Sequence, residues 1–307
     1  MGHSAAPSAH RRAGTVRGAQ REQEGLLTSR DNRWLKAFRA ALRGAGPRAG
    51  EPIGVEGPKL VQEALRSGLE AEALLFSESG ERDAERVLHA ASESETGIPR
   101  LRILRTTDKL FASVAGTDAP QGVAALFRQR EWTLEDVLRG PGAMREAAPL
   151  VAVLAAVQDP GNVGTVVRSA EAFGATGVIA TRGAADPWSP KALRASAGSA
   201  LRLPLLRGMA IPILIAQLKI ADVRIYAAAS MQDSPERRAA VLEETDLRGP
   251  VAIFIGNEGS GLPPEILRAA DGIVSIPTSG AVESLNAGIA ASIVLYEAAR
   301  QRKLESR

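Results

Sequence analysis

The stretch VAVLAAVQDPGNVGTVVRSAEAFG, residues 151–174, decides the fold. Val151 to Val157 form an unbroken apolar run without a charge, the pattern of a strand buried on both faces of a parallel sheet. A turn cluster follows, Gln158-Asp159-Pro160-Gly161-Asn162. Beyond it Val163, Val166, Val167, Ala170 and Phe173 recur at helical spacing, and Gly174 closes the helix. A strand that feeds a helix through a polar, Gly-containing turn is where open α/β sheets place their ligands. Asn162 and Arg168 lie near the mouth of that turn.

The chain has 307 residues, 45% of them hydrophobic and only 4% aromatic, so aliphatic side chains must fill the core. No apolar run reaches the roughly 18 residues of a membrane span, so a soluble protein is expected; the location is expected to be cytoplasmic. There is no cysteine, which excludes disulfides, Cys-rich zinc sites and thiol nucleophiles. The histidines are His3, His10 and His89, so nothing placed after residue 150 has a His base or a His metal ligand. The net charge of +3 equals the excess of Arg11, Arg12, Arg17, Arg21 and Arg30 over Glu22 and Glu24. Any nucleic-acid patch on the remainder must therefore be local.

Residues 1–24 hold almost no large apolar side chain and are expected to form a disordered basic tail; an Arg-rich, acid-poor start also occurs in transit peptides. Residues 25–130 read as a small α/β unit. A helix carries Leu35, Phe38, Ala41 and Leu42, with Ser29 or Asp31 as its cap. PIGVEG and a Pro58-started helix follow, then AEALLFS, a helix over 81–91, RLRILR, a short helix capped by Thr107, and GVAALF. Residues 131–150, with Gly140-Pro141-Gly142 and Pro149, read as a short helix and a linker. In the unit 151–307, strands are expected at 151–157, 177–181, 223–229, 251–255 and 272–276. Helices are expected at 163–173, 189–197, 211–219, 263–270 and 284–302. Together they predict a mostly parallel sheet with helices on both faces.

The chain lacks GxxxxGK[ST], a GxGxxG after its first strand, HExxH and any Cys/His cluster. These absences argue against a P-loop enzyme, a Rossmann-type nucleotide enzyme and a metal site. Three polar turns remain, each after a predicted strand: 158–168, Gly256-Asn257-Glu258-Gly259-Ser260-Gly261, and 277–286. Turns at one sheet edge can converge on a crevice, and their glycines let backbone approach a ligand. Singly, each has a plainer reading: positive-φ turns for Gly256, Gly259 and Gly261, helix caps for Asn162 and Ser284, solvated charges for Arg168 and Glu258, and a dipole partner in Glu283.

Jointly, DPGNVGTVVRSAEAFGATGV, IFIGNEGSGL and VSIPTSGAVESLNAGIAASIVLYE resemble the three motifs of the SpoU/TrmH-type RNA ribose methyltransferases of the SPOUT superfamily. SPKALRASAGSALRLPL, 189–205, is similar to the family's intervening segment. VEGPKLVQEAL and TTDKLFASVAGTDAPQGVAALF resemble its ribosomal-protein-like substrate-binding domain. Thr278 departs from the Met common after Ile-Pro. The resemblance implies a SPOUT domain with a deep trefoil knot, S-adenosylmethionine held by Gly256, Ile276 and Leu285, and a homodimer. The helix 284–302, apolar at Ile289, Ile293, Val294 and Tyr296, would be a dimer element.

The implied reaction moves a methyl group to a ribose 2′-hydroxyl, with rRNA favoured over tRNA and no metal required. Arg168 would have the central role. A permanently protonated guanidinium suits phosphate orientation and alkoxide stabilisation better than base chemistry. Asn162 would fix Arg168 or the ribose, Glu258 would hold the turn or Arg168, and Ser284 and Asn286 would position the nucleotide. RNA selection is expected from the N-terminal unit, where Lys36, Arg39, Arg43 and Arg48 form a basic stretch. A non-catalytic RNA-binding protein of the same fold is the alternative.

Overall fold

The computed structural model describes residues 22–23, 25–92, 101–142, 147–229, 240–279 and 284–305. Of the expected tail, only Glu22 and Gln23 fall within them; they form strand β1 (Glu22–Gln23). Next come α1 (Arg33–Arg43), β2 (Ile53–Glu56), α2 (Pro58–Arg66), β3 (Ala71–Ser77), α3 (Glu81–Ser92), β4 (Arg102–Thr106), α4 (Asp108–Val114) and β5 (Val123–Phe127). The strands make a sheet in the order β1-β4-β3-β5-β2, parallel between β1, β4 and β3 and antiparallel on both sides of β5. Thr107 caps α4 through the Leu110 amide. Helix α1, however, is capped by Asn32, whose side chain accepts from the Trp34 amide at 2.8 Å, rather than by Ser29 or Asp31.

The second sheet is larger. Its elements are β6 (Leu150–Leu154), α6 (Pro160–Ala172), β7 (Gly177–Thr181), α7 (Pro190–Ala195), β8 (Leu205–Met209), α8 (Ile211–Ile220), β9 (Arg224–Ala228), β10 (Ala240–Val241), β11 (Val251–Ile255), α9 (Pro264–Ala269), β12 (Gly272–Ser275) and α10 (Ala287–Glu305); α5 (Leu134–Arg139) precedes them. All seven strands run parallel in the order β10-β12-β9-β11-β6-β7-β8. The period-2 geometry of a strand divides the apolar runs between two layers. Leu150, Ala152, Leu154, Val251, Ile253 and Ile255 face α6, α7 and α10. Val151, Val153, Ala252 and Phe254 face the layer of α5, α8 and α9. All but Ile255 are fully buried, and each such Val, Leu or Ile contributes about 1.5–3 kcal/mol. Helix α5 is the short helix expected in 131–150, and its Val137 is fully buried against this sheet.

Strands β8 and β10 lie at the two edges of the sheet and are missing from the set expected of the sequence. An edge strand with only Leu205 buried shows no apolar period to read. The first strand ends at Leu154, and Ala156 turns at φ 57°. Helix α6 starts earlier than expected, with Pro160 in its first turn and Asp159 as the cap.

Strand order places a switch point between β6 and β11: the chain leaves β6 for β7 on one side, and leaves β11 for β12 on the other. The crevice beyond the carboxyl ends of such a pair is the standard ligand position of this architecture. The end of the sheet away from this edge is closed by Arg302. From α10 it donates to the carbonyls of Ala148 (2.6 Å), Pro149 (3.0 Å), Leu247 (3.0 Å) and Gly249 (2.6 Å), at the entries of β6 and β11.

Candidate active site

Three segments meet at the switch point. Asn162, in the first turn of α6, donates through Nδ2 to Glu258 Oε1 at 2.6 Å and accepts at Oδ1 from Asn286 Nδ2 at 2.9 Å. One buried amide thus joins the first turn, the loop after β11 and the approach to α10. The caps differ from expectation. Asp159 caps α6, and Asn286 caps α10 by accepting from the Gly288 and Ile289 amides at 2.9 and 3.2 Å. Asn162 is therefore inside its helix, and Ser284 precedes its own by several residues, exposed and without a hydrogen-bond partner among the described residues. Residues 280–283, Glu283 among them, lie outside the described set.

The loop after β11 is organised by Asn257, a motif residue with no role in the expected site. Its Oδ1 accepts from the Gly259 and Ser260 amides, and its Nδ2 donates to the Ala156 carbonyl at 3.0 Å, tying this loop to the first. The signal was an Asx-type turn, Asn two residues before Gly. Of the three glycines only Gly261 has a positive φ, 67°. Gly256 is required for space instead, since a Cβ there would lie 2.5 Å from the Gly261 carbonyl carbon. Gly256, Ile276 and Leu285, the expected cofactor contacts, sit half-buried where β11 ends, β12 ends and α10 is approached.

Helices α6 and α10 run side by side. Thr165 meets Gly288, Ser169 bonds Ser292 at 2.6 Å, and Phe173 meets Tyr296 edge-on at 5.6 Å between ring centroids. Each triplet advances by four residues, the ridge spacing of packed helices. Arg168 lies on the solvent flank of this seam. It is exposed and has no hydrogen-bond or ion-pair partner among the described residues. Neither Asn162 nor Glu258 bonds it; they bond each other, which leaves open the other roles expected of them, Asn162 toward the ribose and Glu258 as a hold on the turn. On the far side of the turn Lys191 Nζ lies 2.6 Å from Asp159. That hydrogen bond first, and the Gly161 amide second, hold the Asp159 carboxyl below its ordinary range. Along α10, Ile289 and Tyr296 are more than half exposed, whereas Val294 is fully buried in its own core and is unavailable to a dimer face.

The basic stretch of the N-terminal unit is partly engaged. Lys36 pairs with Asp31 at 3.1 Å, while Arg39 and Arg43 donate to the Ser113 and Ala115 carbonyls at the end of α4. Only the Arg48 side chain of that set has no partner among the described residues.

Residues 149–296 match the model of the SpoU rRNA methylase family, and residues 51–125 match that of an MRM3-like substrate binding domain. A Bacillus subtilis protein, the 23S rRNA (guanosine(2553)-2′-O)-methyltransferase RlmP, is 32% identical over 243 residues, which cover 79% of this chain and 86% of that protein. The chain belongs to the SpoU rRNA methylase family. As a member of it, the chain is an S-adenosylmethionine-dependent RNA methyltransferase. The SpoU fold is shared with an rRNA methyltransferase from Sinorhizobium meliloti, at TM-score 0.73 and 30% identity over 92% of this chain and 98% of that one. The SpoU methyltransferase AviRb from Streptomyces viridochromogenes, solved in complex with AdoMet, aligns at TM-score 0.74 and 26% identity over 89% and 98% of the two chains. The three motifs fall within or close to the matched SpoU segment, and Arg168, Asn162, Glu258, Ser284 and Asn286 all lie inside it. Among the described residues no group of three or more His, Cys, Asp or Glu side chains could hold a metal, and no helix is long and apolar enough to cross a membrane.

Proposed function

We propose that the chain methylates a ribose 2′-hydroxyl of ribosomal RNA at the crevice beyond β6 and β11. The observation that carries this reading is the Asn286–Asn162–Glu258 network, which gathers three motif segments at the first turn of α6, the helix that also bears Arg168, a residue without a partner among the described residues. S-adenosylmethionine supplies an activated methyl on its sulfonium. An adenosine without phosphates asks for backbone donors and small apolar walls, and Gly256, Ile276 and Leu285 offer those rather than cations.

The methyl passes to the ribose oxygen, the sulfur keeps the electron pair of the broken bond, and the hydroxyl proton leaves to solvent or a substrate phosphate. A 2′-hydroxyl is a poor nucleophile, so its position and the charge it develops are what the protein must manage. Arg168 is a fixed cation with a planar fork of donors, free to take a phosphate and to stabilise the forming alkoxide. Glu258 is hydrogen-bonded to Asn162, and the two fix the loop after β11 against α6. Asn286 fixes the entry to α10, and with it the exposed Ser284 that would meet the nucleotide.

Purified protein titrated calorimetrically with S-adenosylmethionine is expected to bind it. With labelled cofactor it is expected to mark rRNA at a position where label survives base removal and blocks alkaline cleavage. Label on tRNA alone would move the substrate assignment, and cofactor binding without transfer to any RNA would favour the non-catalytic reading.

The homodimer belongs to the same proposal, supported by the exposed Ile289 and Tyr296 on α10. Ile289→Asp is expected to halve the mass measured by sedimentation equilibrium; an unchanged mass would place the interface elsewhere. We also assign the trefoil knot, the substrate-binding role of the unit before 131 and a cytoplasmic location to this reading. A crystal structure tracing 276–286 with bound RNA checks the first two, and cell fractionation the third.

A further inference from the structure

A cleft of about 980 Å³ opens between the two sheets and ends on the loop that leads into α6. One wall is the 42–48 segment, the end of α1 and the loop after it; the other is formed by 184–186 and α7; Gln158 and Pro160 form the part nearest Asn162 in the chain. Its charges do not cancel. Arg43 spends its bonds on the neutral carbonyls of Ala112 and Ala115, while Arg48 on one wall and Arg194 on the other have no side-chain partner among the described residues. Lys191 is matched by Asp159, and Asp186 by Arg207. Among the described residues that line the cleft, three arginines are thus opposed by one aspartate without a side-chain partner there, Asp118, while Glu51 and Glu56 lie behind the lining, bonded to the Arg48 amide and to Gly116 and Thr117.

The spacing of the walls is built in. Arg207 donates at once to the Pro47 carbonyl at 2.7 Å, to the Asp186 carboxylate and to Gln129 Oε1 at 3.1 Å, which ties the 42–48 segment and β5's exit to the methyltransferase sheet. Gly46, at φ 138°, lies so close to Asp186 that no side chain fits there. The volume is at the upper end for small-ligand pockets, but those are lined mainly by apolar and aromatic groups. No aromatic side chain lines this one. Cations on facing walls, without a stacking platform, suit a phosphodiester backbone read by charge.

We propose that this cleft holds the RNA strand flanking the target nucleotide, its phosphates between Arg48 and Arg194, and so feeds the ribose toward Asn162 and Arg168. The proposal rests on the RNA methyltransferase reading and adds the path of the substrate. Unmodified in vitro transcripts of bacterial 16S and 23S rRNA are the probes, with affinity measured across a salt series. Arg48→Glu with Arg194→Glu is expected to weaken binding about tenfold or more and to flatten the log-affinity against log-salt slope by about 2. Arg48→Lys with Arg194→Lys should retain most of the affinity. The control, Arg82→Glu with Lys219→Glu, makes the same charge change at exposed positions outside the cleft. Calorimetric S-adenosylmethionine binding, unchanged in all three, excludes misfolding.

If the cleft variant binds the transcripts as tightly, and with the same slope, as the control, the cleft is not the path. Methyl transfer by the wild type on the same transcripts is scored separately. Transfer with an indifferent cleft variant overturns only the path; cleft-dependent binding without transfer supports the path and overturns the activity. A wild type that binds neither transcript overturns both.

Discussion

Arg168→Ala is expected to lower methyl transfer about 10²–10³-fold, the loss seen when one donor to a developing oxyanion is removed. Cofactor binding and melting temperature should remain those of the wild type. The reason is structural: Arg168 is exposed and has no hydrogen-bond or ion-pair partner among the described residues, so its removal breaks no polar interaction with them, and such surface changes stay within about 0.5 kcal/mol. An interaction made only with RNA must then appear in turnover. Arg168→Lys keeps the charge but loses the planar fork, and should fall between the two. Single-turnover rates with saturating cofactor check this. Turnover equal to wild type in the alanine variant would remove Arg168 from the chemistry.

Arg302→Ala should produce the opposite pattern, a loss of stability with little direct effect on the reacting groups. The guanidinium donates to four main-chain carbonyls drawn from the segments that enter β6 and β11. Charged donors to buried or half-buried acceptors are each worth more than neutral ones, and acceptors left without partners carry a desolvation penalty. We expect a loss of about 2–4 kcal/mol, read as a lower urea midpoint at unchanged m-value. Arg302→Lys, whose single ammonium cannot reach all four carbonyls, should recover only part of it. A midpoint within about 0.5 kcal/mol of wild type would mean that water replaces the arginine at no net loss.

Where sequence and structure agree, one-dimensional patterns carried the information. The unbroken apolar runs Val151 to Leu154 and VAIFI, and the 3.6-residue spacing from Val163 to Ala170, are each contained within one segment. Boundaries were harder. Pro160 reads as a turn former, but at the first helical position its missing amide and fixed φ suit the helix, so α6 begins before Asn162 rather than after it. Strand β8 escaped because Arg207 and Gly208 at an edge need no apolar partner. The pairing of Asn162 with Glu258 and Asn286 spans 96 and 124 residues, and no spacing rule encodes contacts of that range. Lys36, Arg39 and Arg43 look alike along the chain. Only the fold shows that one meets an aspartate and two meet the end of α4.

The bond from Asn286 to Asn162 also has a temporal meaning. Asn162 acquires its second partner only when the chain has been made past residue 286 and the first turn of α10 has wound, because Asn286 is held there by the amides of Gly288 and Ile289. A polypeptide made only as far as residue 262 has the first motif and the second, but its active centre lacks the last member. On the proposed reading, the three-segment site is therefore assembled last, by the segment that leads into α10.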